Sequence, residues 1–197
     1  MSAVILTPSL VRTPNGARPA DGRARVRLQS ANAREALATS AQRCGATLGT
    51  LDKDAEDAPL PSNGWHWSLA HDAEWAAGVV HRGPVGIDLE RIAERRPELV
   101  APVLSEAERA LLGPFDWRGF MRLWTAKEAV LKCAGVGLGE LSQCRLAAPP
   151  TPDVMLLAHR GATKLVRHAF AGDHVIAVHA PGTDWTVAWP SECLVPA

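Results

Sequence analysis

The chain alternates between stretches in which apolar residues have helical spacing and stretches in which they occupy every second position. Helical spacing is longest over 117–134, where aromatic and aliphatic residues recur every three or four positions until Gly135. A second helix is predicted over 31–44, because Ser30 is a suitable N-cap and Gly45 a suitable end. The pattern therefore predicts two helices of several turns each.

Short apolar or alternating runs elsewhere predict strands. They lie at 3–6, 23–28, 65–69, 74–80, 85–92, 164–170, 174–180 and 185–189. In the second run Arg23, Arg25 and Arg27 alternate with apolar residues, and the last three runs predict a β-meander. The rest of 1–22 predicts a loop, and SEAE at 105–108 has the residues of a helical capping box. Because strands and helices do not alternate strictly, an α+β fold is favoured over a doubly wound sheet.

A weak internal similarity connects the two predicted helices. The sequence of 31–45 and that of 125–135 each contain an Ala, a basic residue, a Glu and an Ala, and each ends with Cys and Gly. Strand-like segments follow both. This order fits a chain of two similar halves joined near 81–84.

Composition narrows the class of protein. Hydrophobic residues make up 47% of the 197 residues, enough for a sizeable core. Basic and acidic residues number 21 each, and this zero net charge argues against a nucleic-acid-coating or membrane-surface protein. No apolar run is long enough for a membrane span, and the N-terminus lacks the basic segment of a signal peptide. The four cysteines show no metal or redox spacing, so reduced thiols in a cytoplasmic protein are expected.

Two carboxylates stand out in the predicted strand VGIDLERI at 85–92. Asp88 and Glu90 are two positions apart, so both side chains lie on one face of the strand. Oxygen ligands select Mg²⁺ or Mn²⁺, and a divalent ion between the carboxylates would relieve their repulsion. The alternative is an edge strand whose carboxylates face solvent and are screened by Arg91.

The long predicted helix carries a third carboxylate. Glu128 and Lys132 are one turn apart and share a face, where they form either a surface ion pair or part of a phosphate and magnesium site. His71 follows a predicted strand. It either contacts a phosphate or is a turn histidine bonded to Asp72.

Together these motifs resemble the signatures of a known family, the 4′-phosphopantetheinyl transferases. The strand signature is GIDLE at 86–90 and the helix signature is WTAKEAVLK at 124–132, in the family's order and spacing. The likeness extends to SLAH at 68–71, LSEAE at 104–108 and GVGLGEL at 135–141. The length and the two similar halves resemble the monomeric, pseudo-duplicated, surfactin-synthetase-activating type of this superfamily.

The resemblance implies two α+β halves related by a pseudo-twofold axis, with the active site at their interface. The N-terminal half, 1–82, would hold the nucleotide side of coenzyme A, and the C-terminal half, 83–197, the metal site and the carrier-protein side. The implied reaction moves the 4′-phosphopantetheine arm of coenzyme A to a serine of an acyl or peptidyl carrier protein. It releases adenosine 3′,5′-bisphosphate and requires Mg²⁺, with Mn²⁺ as an alternative.

Site residues follow from the same resemblance. The metal ligands would be Asp88, Glu90 and Glu128. The catalytic residues would be Glu128, Lys132 and Asp88, with Glu128 or a metal-bound water accepting the serine proton. Coenzyme A would contact Arg34, His71, Lys132 and Asp88. Lys127 is expected to be structural or to face the carrier protein. Neither nucleic acid nor membrane is an expected partner, and the pathway is left open among fatty acid, polyketide and nonribosomal peptide synthesis.

The chain departs from the family's pattern in two places. Ala70 and Asp72 flank the histidine where the family has serines, and Asp72 would repel a phosphate unless it points away. Asp57-Ala58-Pro59 replaces Gly-Lys-Pro, so one phosphate contact is either lost or supplied elsewhere, with the arginines of 23–27 as candidates. These departures motivate one alternative, a non-catalytic module that binds coenzyme A or a carrier protein. A magnesium-dependent nuclease or other phosphotransferase is the other, and the net charge of zero disfavours it.

Overall fold

The computed structural model describes residues 4–14 and 21–195, and these residues form an α+β fold. The strands are β1 (Val4–Leu6), β2 (Ser9–Arg12), β3 (His66–His71), β4 (Trp75–His81), β5 (Gly86–Arg91), β6 (Arg145–Leu146), β7 (Val154–His159), β8 (Ala162–Ala171), β9 (His174–His179) and β10 (Trp185–Val187). The helices are α1 (Gly22–Arg43), α2 (Val100–Val103), α3 (Glu106–Leu112) and α4 (Trp117–Ala134), with 3₁₀ segments at Pro97–Leu99 and Leu138–Gln143. The predicted fold class is confirmed at this level.

Each long helix packs on an antiparallel sheet. Helix α1 covers a three-stranded sheet of order β2-β4-β3, and α4 covers one end of a five-stranded sheet of order β5-β9-β8-β7-β6. In both sheets the strand before the helix pairs with the second strand of a hairpin that follows the helix: β2 with β4, and β5 with β9. The connectivity strand, helix, hairpin therefore occurs twice along the chain.

The two sheets meet along β3 and β5. Ser68 Oγ accepts a hydrogen bond from the backbone N–H of Ile87 at 3.1 Å, which ties the edge of the first sheet to the edge of the second. Apolar side chains of β5, including Ile87 and Leu89, lie in a core cluster shared with β4 and β9. Strand β5 is therefore an edge strand in hydrogen bonding, yet it is covered on both faces.

Helix α4 has the predicted bounds, and local sequence explains both ends. Asp116 caps the first turn by accepting from the Gly119 N–H, and Gly135 closes the last turn with φ of 66°. The apolar stripe of α4 faces the sheet at close range. A Cβ on Gly86 would overlap the carbonyl oxygen of Ala129, so only glycine allows this approach of β5 to α4.

The structure corrects the prediction for the first helix. Residues 23–28 are not a strand but the opening turns of α1, which begins at Gly22, well before the predicted start after Ser30. The cap is Asp21, whose carboxylate accepts from the N–H groups of Arg23 and Ala24. Three alternating arginines are too few to outweigh a good cap and the high helix propensity of arginine.

Three further strand predictions need correction or extension. The predicted loop over 1–22 contains β2, which pairs with β4. The predicted strand at 3–6 is β1, which is described from Val4 onward. Residues 1–3 and 15–20 lie outside the described ranges. The meander is right for β8 and β9 but wrong for its last strand, because β10 leaves the sheet and pairs in parallel with β1. Strand β7, which precedes the hairpin, was not predicted. None of the helices in the described ranges is long and apolar enough to span a membrane.

Candidate active site

Asp88 and Glu90 point from β5 towards α4. Asp88 is 5% exposed, and its Oδ1 lies 2.7 Å from Lys132 Nζ. Its Oδ2 is buried without a hydrogen-bond partner among the described residues. Glu90 is half-buried and accepts from Arg95 Nη2 at 2.9 Å and from Trp124 Nε1 at 3.3 Å. The alternative of a solvent-facing edge is therefore wrong for Asp88.

Arg91 does not screen this pair. Its guanidinium contacts Asp173 Oδ2 at 2.6 Å and Glu74 Oε1 at 3.4 Å. The positive charges beside Asp88 and Glu90 are instead those of Lys132 and Arg95.

Helix α4 brings Glu128 and Lys132 against the strand carboxylates, so the two segments of the sequence pattern meet in space. Burial, and after it the negative charge of Asp88, raises the pKa of Glu128 to about 7; Glu90 adds to this increase and Lys132 opposes it. Burial likewise raises the pKa of Asp88, against the opposing effect of Lys132. Burial and the charge of Asp88 raise the pKa of Glu90. Burial thus disfavours ionisation of all three carboxylates, and the negative charge of Asp88 adds to this effect at Glu90 and Glu128.

This donor set fits a hard divalent cation. The unpartnered Asp88 Oδ2 supplies a buried anionic oxygen, and a cation would offset the cost of burying the three charged carboxylates, whose pKa values are all raised. The candidate ligand oxygens of Asp88, Glu90 and Glu128 do not all lie within 4.8 Å of one another. In the described ranges the three-residue group whose candidate ligand atoms all lie within 4.8 Å is Glu74, Asp173 and His174. There the guanidinium of Arg91 already pairs with both carboxylates.

A cationic cavity of about 250 Å³ lies beside His71, at the end of β3. Its walls come from α1, from the following loop and from β3: Ser30, Ala33, Arg34, Leu51, Lys53, Trp67, Leu69 and His71. Burial lowers the pKa of the His71 imidazole, and the charges of Lys132 and Lys53 lower it further. His71 therefore lines the cavity and lies within electrostatic reach of Lys132.

A second cavity of about 250 Å³ opens on the other flank of Glu128 and Lys132. It is lined by the loop 56–59 and by the end of α4 with the residues that follow, through Leu138. A smaller apolar pocket of about 170 Å³ lies beside Glu90, between Trp124, Phe120 and Leu99. Glu128 thus lines one of these two cavities and Glu90 lines the other.

Comparison with known proteins supports the hypothesis drawn from the two signature motifs. Residues 84–179 match the family model of the 4′-phosphopantetheinyl transferase superfamily. The resemblance to this superfamily is thereby confirmed. One curated relative is 4′-phosphopantetheinyl transferase gsp of Aneurinibacillus migulanus, 32% identical over 77 residues, which cover 37% of this chain and 32% of the relative. Another is 4′-phosphopantetheinyl transferase psf-1 of Bacillus pumilus, 34% identical over 83 residues, which cover 40% of this chain and 35% of the relative.

These alignments span about a third of the length of each relative. Both relatives carry the name of the enzyme class that the motifs predicted. The family match covers β5, α4 and the β7–β9 sheet. It leaves out α1 and the residues that line the cationic cavity.

Asp72, which replaces a serine of the superfamily pattern, turns away from the cavity. Its carboxylate accepts from the backbone N–H groups of Glu74 and Trp75 and lies 2.7 Å from His174 Nε2. Burial raises the pKa of Asp72, but these hydrogen bonds outweigh burial and hold the pKa below its ordinary value. The expected repulsion of a phosphate is therefore avoided, and Asp72 instead links β3–β4 to β9.

Lys127, left open in the sequence as structural or carrier-facing, is structural. It is 1% exposed, and its Nζ lies 2.6 Å from both Glu108 Oε1 and the Val103 carbonyl oxygen. Glu108 also completes the predicted capping box with Ser105. The ion pair therefore fastens α2 and α3 to α4, one residue before Glu128.

Sequence reasoning missed Arg95 and Lys53. Arg95 reaches back to Glu90 from a loop, and Lys53 lines the cationic cavity from the polar loop that precedes β3. Neither belongs to a motif or a periodic pattern. The arginines 23, 25 and 27, which were proposed to supply a phosphate contact, lie on the opening turns of α1 and do not line the cavity.

Proposed function

We propose that this chain is a 4′-phosphopantetheinyl transferase. Its substrates would be coenzyme A and an apo acyl or peptidyl carrier protein. The observation that carries the proposal is the convergence of three carboxylates and Lys132 next to a cavity walled by Arg34, Lys53 and His71. A substrate with a diphosphate flanked by a nucleotide phosphate suits one cation-binding cluster beside one cationic cavity.

The reaction is a phosphoryl transfer between a serine and a diphosphate. The serine Oγ bonds to the phosphorus that bears the pantetheine arm, and the bond from that phosphorus to the bridging oxygen breaks. Adenosine 3′,5′-bisphosphate leaves with the electron pair. Glu128 is proposed to accept the serine proton, directly or through a water molecule. Lys132 is proposed to hold the diphosphate as a point charge, and Arg34 and His71 to contact the nucleotide side.

Asp88, Glu90 and Glu128 would hold Mg²⁺ or Mn²⁺. The chemistry such an ion supplies is neutralisation of the charge that accumulates on the diphosphate oxygens. Asp88 supports this assignment best, because its Oδ2 is buried and unpartnered among the described residues.

The finer architecture is part of the proposal. The repeated strand, helix, hairpin connectivity supports two halves, 1–82 and 83–197, related by a pseudo-twofold axis. The position of the carboxylate group, between α4 and strands of both halves, supports an active site at their interface. We further propose that the protein acts as a cytoplasmic monomer in natural product biosynthesis, with no nucleic acid or membrane partner.

Mass spectrometry of carrier proteins tests the activity. An apo carrier incubated with coenzyme A, Mg²⁺ and this protein should gain the mass of one phosphopantetheine arm, and chelation of the metal should stop the gain. Asp88→Ala and Glu128→Ala should each abolish transfer while circular dichroism stays unchanged. Glu192→Ala, which removes an exposed carboxylate far along the chain, is the matched control and should retain full activity.

The alternative function is a non-catalytic module that binds coenzyme A or a carrier protein. Calorimetry separates the two functions. Binding of coenzyme A without mass transfer to any carrier of a varied panel would favour the module, whereas transfer lost in Asp88→Ala would favour the enzyme. The orientation of Asp72 away from the cavity weakens one of the two reasons for this alternative.

A further inference from the structure

The cationic cavity is lined by basic side chains. Arg34 and Lys53 line it with His71, and none of the described residues that line it is acidic. Arg34 makes no hydrogen bond or ion pair with any other described residue, so its guanidinium is available to a ligand. Such a cavity is prepared for an anion.

Among the described residues, the ammonium group of Lys53 has one partner, which does not line the cavity. Its Nζ is 2.8 Å from Asp57 Oδ2, across a tight loop closed by the Lys53–Pro59 backbone bridge. Asp54 braces the loop by accepting from the N–H groups of Glu56 and Ala58. The backbone of Lys53 is therefore fixed, while its ion pair is exposed, with 40% of the Lys53 side chain and 83% of the Asp57 side chain accessible.

An exposed pair of this kind exchanges partners easily. Pairs between accessible side chains contribute little to stability because water and salt screen them. A phosphate in the cavity would offer Lys53 two or three anionic oxygens in a less solvated place, next to Arg34. The ammonium group would then leave Asp57 for the phosphate without a change in the loop.

We propose that Lys53 binds the ribose phosphate of coenzyme A, and that Asp57 is an internal counter-ion which this phosphate displaces. The inference rests on the proposed function and adds a substrate-binding residue to it. The diphosphate has to lie where transfer occurs, beside Lys132 and Asp88. Lys53 lines a cavity with Arg34 and His71, whereas Lys132 lines a different one. We therefore assign Lys53 to the ribose phosphate and not to the diphosphate.

This assignment also accounts for the departure at Asp57-Ala58-Pro59. Ala58 provides no charge, yet a lysine five positions earlier reaches the cavity from the other strand of the same loop. Because Asp57 competes with the phosphate for the ammonium group of Lys53, it lowers the affinity for coenzyme A that Lys53 would give without it.

Calorimetric titration with coenzyme A and with dephospho-coenzyme A, which lacks only the ribose phosphate, tests the role of Lys53. Lys53→Met should weaken binding of coenzyme A about tenfold and binding of dephospho-coenzyme A less than twofold. Lys164→Met, which removes a lysine of β8 outside the cavity, should change neither. Equal weakening for both ligands would assign Lys53 to the diphosphate, and no weakening would remove it from the site; either result overturns the inference.

Asp57→Asn tests the displaced counter-ion. Asparagine tolerates the left-handed backbone of this position, where φ is 66°, and it removes the charge. We expect coenzyme A to bind about two to five times more tightly to Asp57→Asn. No tightening is expected in the Lys53→Met background or in Asp52→Asn, a control in the same loop. Tightening that persists without Lys53 would refute the exchange.

Different experimental results would contradict the proposed function and this inference. If the unmodified protein binds neither ligand, the proposed function is wrong and the inference falls with it. If coenzyme A binds and is transferred but Lys53→Met binds both ligands normally, the inference alone is wrong.

Discussion

The buried ion pair between α3 and α4 yields a quantitative prediction. Lys127 and Glu108 are 1% and 4% exposed, and their charged atoms are 2.6 Å apart. Glu108 also accepts from the N–H and Oγ of Ser105 and from the N–H of Leu146. Burial raises the pKa of Glu108, but Lys127 and these donors outweigh burial and hold the pKa below its ordinary value. The carboxyl group of Glu108 is therefore ionised at neutral pH.

Breaking such a pair leaves one charge buried alone. Removal of one partner typically costs about 3–5 kcal/mol. Lys127→Met should fall at the lower end, about 3 kcal/mol, because three donors still compensate Glu108. Glu108→Leu should reach about 5 kcal/mol, because it leaves the ammonium group without its counter-ion and the Leu146 N–H without its acceptor. The double variant should cost about 4 kcal/mol, well below the sum, because it leaves neither charge alone.

Urea denaturation at pH 7, followed by tryptophan fluorescence, measures all three variants. Lys164→Met serves as control, since Lys164 makes no ion pair in the described ranges, and its midpoint should match that of the unmodified protein. If the two single costs add in the double variant, or if Lys127→Met behaves like the control, the account of the pair as a mutually dependent buried unit is refuted.

Two further predictions concern the packing of β5 against α4 and the link between Asp72 and His174. Gly86→Ala should lower the free energy of unfolding by about 1–3 kcal/mol and reduce transfer, because its Cβ would overlap the Ala129 carbonyl oxygen and push α4 away from β5. The control is Gly139→Ala, whose Cβ would meet nothing within 4 Å. It should leave the free energy of unfolding unchanged in the same urea titration. The Asp72–His174 pair should make stability depend on pH, since the folded-state pKa of Asp72 is lowered and that of His174 is raised. Its contribution is lost as pH falls through the folded pKa of Asp72 and again as pH rises through that of His174, so it is full between about pH 4 and 6.5. The stability difference between the unmodified protein and Asp72→Asn should accordingly be larger at pH 5 than at pH 9, and an equal difference at both would contradict the assignment.

The sequence by itself determined the features whose causes lie within a few residues. Helix α4 has its predicted bounds because a capping aspartate, an apolar stripe and a closing glycine are all local to it. The capping box at Ser105 is likewise a contact over three residues. The face shared by Asp88 and Glu90 follows from strand geometry alone. The two signature motifs depend on such local spacing, and they could therefore be recognised from the sequence alone.

Only the tertiary structure decided the contacts between distant parts of the chain. The pairing of β10 with β1 and the link from Asp72 to His174 join residues that are more than a hundred positions apart. No periodicity records such contacts, because their free energy comes from burial and charge pairing that exist only once the sheets have met. Lys53 is the clearest case. In the sequence it is one charge in a polar loop, and its position opposite Arg34 depends on how that loop closes against α1 and β3.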